Sequence, residues 1–291
     1  MPNPIILDGT ATASTIRAEV AARVARLKSE HGVTVGLAAV LAGENPASVT
    51  YVKMKRRACE KTGIYSRAVE FGADASEDDI FQAVRELNAD PAIHGILVQH
   101  PLPKGMDEYR ILAEVSPDKD VDGIGRGSLG DLVKGDAPFV ACTPAGMVEL
   151  MDRYNLPIAG KHAVVIGRSV ILGKPLALLL LNRNATVTVC HSRTEDLPFY
   201  IKNADIVCAC VGKPEFITGE MLKPDAVVLD AGYNRVAGRT SDVGDCEYES
   251  CAAVASAITP VPGGVGPMTI ATLLANTVKA AERGFAYAAG F

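Results

Sequence analysis

The chain has 291 residues, 48% of them hydrophobic and 22% charged, and its formal net charge is −5. This composition excludes disordered and collagen-like chains, and the small acidic excess without a run of like charges predicts no nucleic-acid partner. Apolar runs reach only about eight residues, well below the roughly 18 that span a bilayer, so we expect no membrane partner. At about 150 residues per domain, the length predicts two domains.

The sequence contains no clear motif for a signal peptide, for disulfide pairing or for metal binding. The first cation is Arg17, and no basic stretch precedes the short apolar segment at the N-terminus, so we expect no signal peptide and a cytoplasmic location. The seven cysteines are scattered and form no C-x-x-C pair, which predicts reduced, mostly buried thiols. The five histidines lack H-E-x-x-H spacing, so no metal site is predicted.

In the first half of the chain, helices and strands alternate. Apolar residues at helical spacing predict a helix from Ile16 to Leu27 that Gly32 ends, followed by a buried strand in VTVGLAAVLAG. Alternation of this kind predicts βαβ units and a parallel sheet. Further helices are predicted over 48–62 and 76–88, and further strands over 64–71 and 93–98.

The second half repeats the alternation after an interruption. Residues 116–138 are rich in Gly and Asp and lack helical periodicity, which predicts a loop region at a domain boundary. From His162, the segments AVVIG, PLALLLLNR, TVTVC, DIVCAC and AVVLDAG follow the order of a dinucleotide-binding half. PVPGGVGPMT then opens a helix to about Arg283, which can pack back onto the first domain.

The turn V-V-I-G-R-S-V-I-L-G-K leads from a predicted strand through Gly167 into a helix. Backbone N–H groups at such a helix start favour an anion. A P-loop is excluded, because five residues separate Gly167 from Gly173 and Pro175 stands where Ser or Thr should hold magnesium. G-x-G-x-x-G is absent, so a tight turn without a ligand is the alternative interpretation.

The end of the next strand bears on cofactor type. An NAD site places an acidic residue there for the ribose hydroxyls, whereas this chain has His191, Ser192 and Arg193. Arg168 on the glycine turn and Ser192 could instead donate hydrogen bonds to a 2′-phosphate, which favours NADP. The alternative is a solvated basic loop.

Polar residues in the first half form a second set of candidates. Tyr51 and Lys55 are four residues apart and share one helix face, Gln99 ends an apolar strand, and Asp122 lies in K-D-V-D-G. The alternatives are that Lys55 is one cation of a solvated KMKRR face and that the others belong to turns. The loop from Thr259 to Thr269 combines Pro and Gly before a helix, as expected where backbone approaches a planar ligand.

Seven motifs in one order carry a resemblance over nearly the whole chain. Y-V-K-M-K, G-I-L-V-Q-H-P-L-P, K-D-V-D-G, C-T-P-A-G, V-V-I-G-R-S, A-T-V-T-V-C-H-S and P-V-P-G-G-V-G-P-M-T closely resemble the bifunctional methylenetetrahydrofolate dehydrogenase/methenyltetrahydrofolate cyclohydrolase family. The resemblance implies an α/β fold with two domains flanking a cleft. A folate domain would comprise 1–140 plus 268–291, with the C-terminal helix returning to it, and a Rossmann-like parallel-sheet NADP domain would comprise 141–267. It also implies a homodimer formed through the second domain.

The resemblance further implies residue roles. Lys55 would be the catalytic lysine, Tyr51 would stack on the folate ring, Gln99 would hydrogen-bond Lys55, and Asp122 would anchor the pterin. NADP would be held by Gly167, Arg168, Ser169, Ser192 and, through its backbone, Tyr233, and the folate also by Pro262 and Gly263. The sequence departs from the family pattern at three of these positions: Tyr233 for isoleucine, Ser128 for asparagine and Ala141 for proline. The last two leave the geometry of their loop open.

The implied reaction suits these residue types. NADP-dependent oxidation of 5,10-methylenetetrahydrofolate to a methenyl cation needs positioning more than a base, whereas hydrolysis to 10-formyltetrahydrofolate needs water activation and proton transfer. Such a product would supply one-carbon units to purine, histidine and methionine biosynthesis. Two alternatives stay open at this point: a dehydrogenase without cyclohydrolase activity or with another small acid as substrate, and a non-catalytic NADP sensor.

Overall fold

The computed structural model of this α/β protein describes residues 3–72 and 74–288. Its strands are β1 (Ile5–Ile6), β2 (Gly36–Ala42), β3 (Tyr65–Phe71), β4 (Gly95–Gln99), β5 (His162–Ile166), β6 (Thr186–Cys190), β7 (Ile206–Ala209), β8 (Val227–Asp230) and β9 (Ala257–Ile258). Its α-helices are α1 (Gly9–His31), α2 (Pro46–Thr62), α3 (Glu77–Ala89), α4 (Glu108–Leu112), α5 (Arg126–Lys134), α6 (Cys142–Arg153), α7 (Gly173–Asn182), α8 (Leu197–Lys202), α9 (Tyr248–Ala252) and α10 (Val265–Ala288).

The chain forms two compact units. One contains residues up to Ser14 together with Ala141–Thr269, and the other contains Thr15–Val140 together with the chain from Ile270 onward. The family resemblance implied instead that the first residues belong to the folate domain, 1–140 plus 268–291. In the structure they belong with the later segment because the short strand β1 pairs in parallel with β9, Ile5 opposite Ala257.

The unit built from Thr15–Val140 contains a parallel three-stranded sheet in the order β3-β2-β4. All seven residues of β2 are buried, as expected for a central parallel strand covered on both faces. The C-terminal helix belongs to this unit from Ile270 onward. It is tied there by an ion pair between Glu282 and Arg23 of α1 and by a hydrogen bond from Asn276 Nδ2 to the Val121 carbonyl.

The other unit is a doubly wound parallel sheet of six strands in the order β1-β9-β8-β7-β5-β6. Alternate residues of its strands face two separate apolar clusters: Val165 packs with Leu176 of α7 on one face, and Val164 packs with Ile201 of α8 on the other. Burial on both faces explains why these strands appear in the sequence as continuous apolar runs. The chain order reverses beside β5, where β6 lies on one side and β7 on the other.

One predicted loop contains a helix. Residues 116–138 include α5, which begins after Gly125 and ends at Gly135, whose φ of 87° is left-handed. The helix was missed because its apolar residues Leu129, Leu132 and Val133 share one helix face over little more than one turn, too short a stretch to distinguish from a loop. Glycines inside a helix also lower its intrinsic propensity, and α5 contains two.

The cysteine prediction is confirmed: all seven thiols are free, and all but Cys210 are buried. Burial raises the pKa of Cys59 and of Cys208 to about 12, so both remain protonated near neutral pH. Among the described residues, no helix is long and apolar enough to cross a membrane. In the same part of the chain, no three His, Cys, Asp or Glu side chains are grouped to hold a metal ion.

Candidate functional site

Lys55 and Gln99 meet at the carboxyl edge of the three-stranded sheet. Gln99 is the last residue of β4 and is 7% exposed, and its Oε1 accepts a hydrogen bond of 2.9 Å from Lys55 Nζ on α2. The Gln99 amide nitrogen donates to the His100 carbonyl oxygen at 2.7 Å. Because that carbonyl can only accept, the amide is fixed with its oxygen toward the lysine. The neutral partner holds the Lys55 amine without adding a countercharge.

Helix α2 presents Tyr51 one turn before Lys55 on the same face. The helix begins at Pro46 because Asn45 caps it, with its side-chain oxygen accepting from Ala47 N at 3.0 Å. The Tyr51 side chain is 42% exposed, whereas Lys55 is half-buried. An exposed aromatic ring next to a positioned amine can stack on a flat ligand.

The two aspartates of K-D-V-D-G have different environments. Asp120 is 4% exposed and accepts hydrogen bonds from Gly123 N at 3.2 Å, Gly125 N at 2.9 Å and Ser128 Oγ at 2.5 Å. Burial raises the pKa of Asp120, although the bond from Ser128 opposes this shift. Asp122 is half-buried, and its carboxylate accepts no hydrogen bond within the described part of the chain. Asp120 therefore holds the loop, and Asp122 is available to a ligand.

This arrangement accounts for one departure from the family pattern. Ser128 is buried in the first turn of α5, and its hydroxyl reaches back to Asp120. The short side chain fits because α5 begins directly after the loop that Asp120 holds. Ala141, another departure, is the residue before α6 and provides no side-chain cap.

At the six-stranded sheet, Gly167 follows β5 at the point where the strand order reverses. Its φ is +132°, and a Cβ there would overlap the carbonyl oxygen of Cys210, which follows β7. A Cβ at Gly173, the first residue of α7, would likewise overlap the Gly167 carbonyl. Both positions require glycine, and the close backbone turn lies where α/β sheets bind nucleotide pyrophosphates. The residues present therefore fit a dinucleotide.

The glycine turn and the neighbouring end of β6 carry two arginines and two serines. Arg168, Ser169, Ser192 and Arg193 are exposed, and neither arginine forms an ion pair with any described residue. The tip after β6 is ordered by hydrogen bonds from His191 N to Thr194 Oγ1 at 2.8 Å and from Arg193 N to His191 Nδ1 at 3.1 Å. Free guanidinium groups beside a hydroxyl suit a phosphate.

The other predicted contacts lie in the unit of the six-stranded sheet, whereas Lys55, Gln99 and Asp122 lie in the other. The Tyr233 side chain is 59% exposed and hydrogen-bonds Asp242, which lowers the pKa of that carboxyl. Pro262 and Gly263 form the turn before α10, where the Gly263 carbonyl accepts from Thr10 N at 2.9 Å. Their predicted ligand contacts stay predictions.

Sequence reasoning missed several organising residues. Asp120 and Ser128 in one unit, and Asp230 and Asp245 in the other, are buried polar side chains that order loops. The available signal was an aspartate close to glycine, as in Asp230-Ala-Gly and Gly-Asp245, because glycine permits a carboxylate to pack directly against backbone.

Comparison with known proteins agrees with this geometry. The family model "Tetrahydrofolate dehydrogenase/cyclohydrolase, catalytic domain" matches residues 7–122, and the NAD(P)-binding domain model of the same family matches residues 141–285. "Bifunctional protein FolD" of Moorella thermoacetica is 54% identical over 278 residues, covering 96% of this chain and 99% of its own length. The protein of the same name from Shouchella clausii is 51% identical, covering 97% and 99%.

Solved structures agree as well. The bifunctional FolD enzyme of Campylobacter jejuni superposes with a TM-score of 0.94 at 42% identity, covering 96% of this chain and 99% of its own. The Trypanosoma brucei dehydrogenase-cyclohydrolase, complexed with NADP cofactor and inhibitor, has a TM-score of 0.94 at 36% identity and covers 98% and 99%. The chain therefore belongs to the tetrahydrofolate dehydrogenase/cyclohydrolase family.

Proposed function

We propose that this enzyme, a bifunctional NADP-dependent methylenetetrahydrofolate dehydrogenase and methenyltetrahydrofolate cyclohydrolase, works through Lys55, Gln99, Tyr51 and Asp122. The observation that supports these roles best is the 2.9 Å hydrogen bond from Lys55 Nζ to Gln99 Oε1. It places an amine with a fixed direction beside an exposed aromatic ring, at the strand ends where parallel sheets bind ligands.

Oxidation requires the chain to bind and orient the folate. When bound, NADP⁺ supplies the hydride acceptor. The nitrogens flanking the methylene carbon stabilise the methenyl cation left by hydride loss, so no protein base is needed. Tyr51 would stack on the ring system, and the Asp122 carboxylate would accept from the pterin amino group and ring N–H. The main contribution of the protein to this step is orientation.

Hydrolysis requires a proton-transfer group, and Lys55 is suited to it. Water adds to the methenyl carbon, one proton is released, and the C–N5 bond breaks as N5 takes a proton, which leaves the formyl group on N10. A cationic substrate disfavours a second positive charge nearby, so the neutral amine that accepts a proton from water is favoured. The hydrogen bond to Gln99 would hold that amine in a fixed position for this proton transfer.

The cofactor is NADP, and the glycine turn provides its binding groups. Gly167 and Gly173 allow backbone to approach the pyrophosphate, Ser169 lies on the same turn, and Arg168 with Ser192 would hold the 2′-phosphate. Tyr233 would contribute backbone, because its side chain is engaged with Asp242. Pro262 and Gly263 would contact the folate.

One assay tests both activities. The protein is mixed with 5,10-methylenetetrahydrofolate and NADP⁺, and NADPH and 10-formyltetrahydrofolate are followed together. Formation of both supports the proposal. NADPH without hydrolysis of added methenyl-folate would identify a dehydrogenase alone, and tight NADP binding without turnover would identify a nucleotide sensor.

We also propose a homodimer formed through the six-stranded unit. Strand β6 lies at the sheet edge, where Val189 is 40% exposed, and Leu181 at the end of α7 is 55% exposed. An exposed apolar edge strand is a surface that a second copy can cover. Sedimentation equilibrium measures the mass directly. The cytoplasmic location and the link to purine, histidine and methionine biosynthesis stay predictions.

A further inference from the structure

Two buried aspartates lie beneath the loops that follow β7 and β8. Asp245 is 0% exposed and Asp230 is 3% exposed. Asp230 ends β8, and its carboxylate accepts from Gly232 N at 2.8 Å, Asp245 N at 3.0 Å and Cys246 N at 2.8 Å. Burial raises the pKa of Asp230, and these backbone bonds oppose the shift. Asp230 therefore fixes the backbone that carries Asp245.

The Asp245 carboxylate bridges two loops. It accepts from three consecutive backbone N–H groups after β7: Val211 at 2.7 Å, Gly212 at 3.0 Å and Lys213 at 2.9 Å. Its Oδ1 also accepts from Asn234 Nδ2 at 2.9 Å, in the loop after β8. Three successive N–H groups form an anion-binding concavity, and here the anion is part of the chain. The carboxylate thus sets the distance between the two loops.

Glycine backbone packs tightly against both carboxylates. A Cβ at Gly232 would overlap Asp245 Oδ1, and a Cβ at Gly244 would overlap Asp230 Oδ2. The loop after β7 begins with Cys210, whose carbonyl lies against Gly167, and the loop after β8 contains Tyr233. The loop after β7 borders the point where the strand order reverses, which is where dinucleotides bind in such sheets, and the loop after β8 follows the next strand along the sheet.

We infer that Asp245 is a positioning residue for NADP binding, holding the loops after β7 and β8 in their binding conformation before the cofactor arrives. The inference rests on the proposed function of the glycine turn. Without this carboxylate, three N–H groups lose their acceptor and the loops must be ordered by the cofactor itself. The free energy needed to order the two loops then makes NADP binding weaker. The catalytic groups Lys55 and Gln99 belong to the other unit and keep their own hydrogen bonds.

The test compares Asp245→Asn with Asp205→Asn. Asp205 precedes β7 at the opposite, amino end of the same strand, where it accepts from His162 N at 2.9 Å and pairs with Lys223 at 2.5 Å. The readouts are the Kd of NADP by calorimetric titration, cyclohydrolase activity without NADP, and the thermal unfolding midpoint. For Asp245→Asn we expect the Kd to rise about ten- to a hundredfold, since ordering even one or two residues costs that much. We expect cyclohydrolase activity at the wild-type rate.

Asp205→Asn should bind NADP as the wild type does. If Asp245→Asn lowers the unfolding midpoint but leaves the Kd unchanged, Asp245 is purely structural and the inference is wrong. If Asp245→Asn does not fold, the test uses Asn234→Ala instead. This variant removes only the bond between Asp245 and the loop after β8. The inference requires that it still weaken NADP binding. A wild-type protein that neither binds NADP nor turns over folate would instead contradict the proposed function.

Discussion

The two candidate binding edges differ in how far they are assembled without a ligand. At the three-stranded sheet, Lys55 and Gln99 already share a 2.9 Å hydrogen bond, and Gln99 is buried. At the six-stranded sheet, Arg168 and Ser192 are exposed, and Arg168 has no ion-pair partner in the described part of the chain. A group that must transfer a proton needs a fixed direction, whereas a group that binds phosphate obtains its partner from the ligand.

By contrast, the backbone at the binding edge of the six-stranded sheet is held by close packing and by buried hydrogen bonds. The glycines at 167 and 173 are packed against neighbouring carbonyls, and the buried aspartates hold the adjacent loops. The difference suggests that cofactor affinity depends on backbone shape and cofactor selectivity on exposed charge. Four substitutions, taken from the largest expected effect to the smallest, test this comparison.

Replacing Lys55 tests the preassembled edge most directly. We expect Lys55→Met to lower cyclohydrolase activity by about 10²–10⁴-fold, the usual contribution of a general acid–base group, while dehydrogenase activity survives. The rate of methenyl-folate hydrolysis and the rate of NADPH formation measure the two steps separately. Equal loss of both with folate still bound would show that Lys55 orients the substrate in both reactions.

Asp122 should affect both activities through folate binding. Asp122→Asn replaces one acceptor oxygen with a donor that faces the pterin N–H groups, which costs about 1.5–3 kcal/mol of binding free energy. We expect a higher Kd for folate and an unchanged Kd for NADP. Wild-type folate affinity would mean that Asp122 is only a turn residue.

Arg168 should determine cofactor choice. Removing the guanidinium in Arg168→Ala should lower the preference for NADP⁺ over NAD⁺ by roughly ten- to a hundredfold, because a charge-assisted contact is worth about 1.5–3 kcal/mol. The measurement is kcat/KM for both cofactors at fixed ionic strength, because salt screens exposed charges. Arg193→Ala and the double variant show whether the second arginine compensates. An unaltered preference would place the 2′-phosphate elsewhere.

Ser128 tests the support beneath Asp122. Ser128→Ala removes one donor from the Asp120 carboxylate and should lower the free energy of unfolding by about 1–2 kcal/mol at pH 7, with a small rise in folate KM. The pKa of Asp120 is raised in the folded state, so its contribution to stability is present below its unfolded pKa and is lost as pH rises through the folded pKa.

Loss of the Ser128 hydroxyl raises that folded pKa further. The destabilisation should therefore be largest at neutral pH and shrink as Asp120 becomes protonated. Urea unfolding at two pH values measures this, with Ser29→Ala as control, because the Ser29 hydroxyl bonds only a local carbonyl on an exposed helix end. A pH-independent difference would contradict an ionised Asp120.

Much of the fold was predictable from local patterns. The predicted helix over 48–62 is α2, and the predicted strand over 64–71 is β3. The glycine turn after β5 was also placed correctly, because tight backbone approach leaves glycine as the only suitable residue. By contrast, α5 was missed, since its helical apolar spacing extends over little more than one turn and the helix contains two glycines.

By itself, the sequence determined the alternation of helices and strands, the glycine turn and the motifs that carry the family resemblance, because each depends on residues close together in the chain. Only the tertiary structure decided that Asp120 of K-D-V-D-G holds its own loop, that β1 joins the sheet of the later segment, and that one carboxylate, Asp245, bridges two loops. These features depend on hydrogen bonds between residues far apart in sequence, such as the bond between residues 211 and 245, and burial decides which polar groups must find such partners.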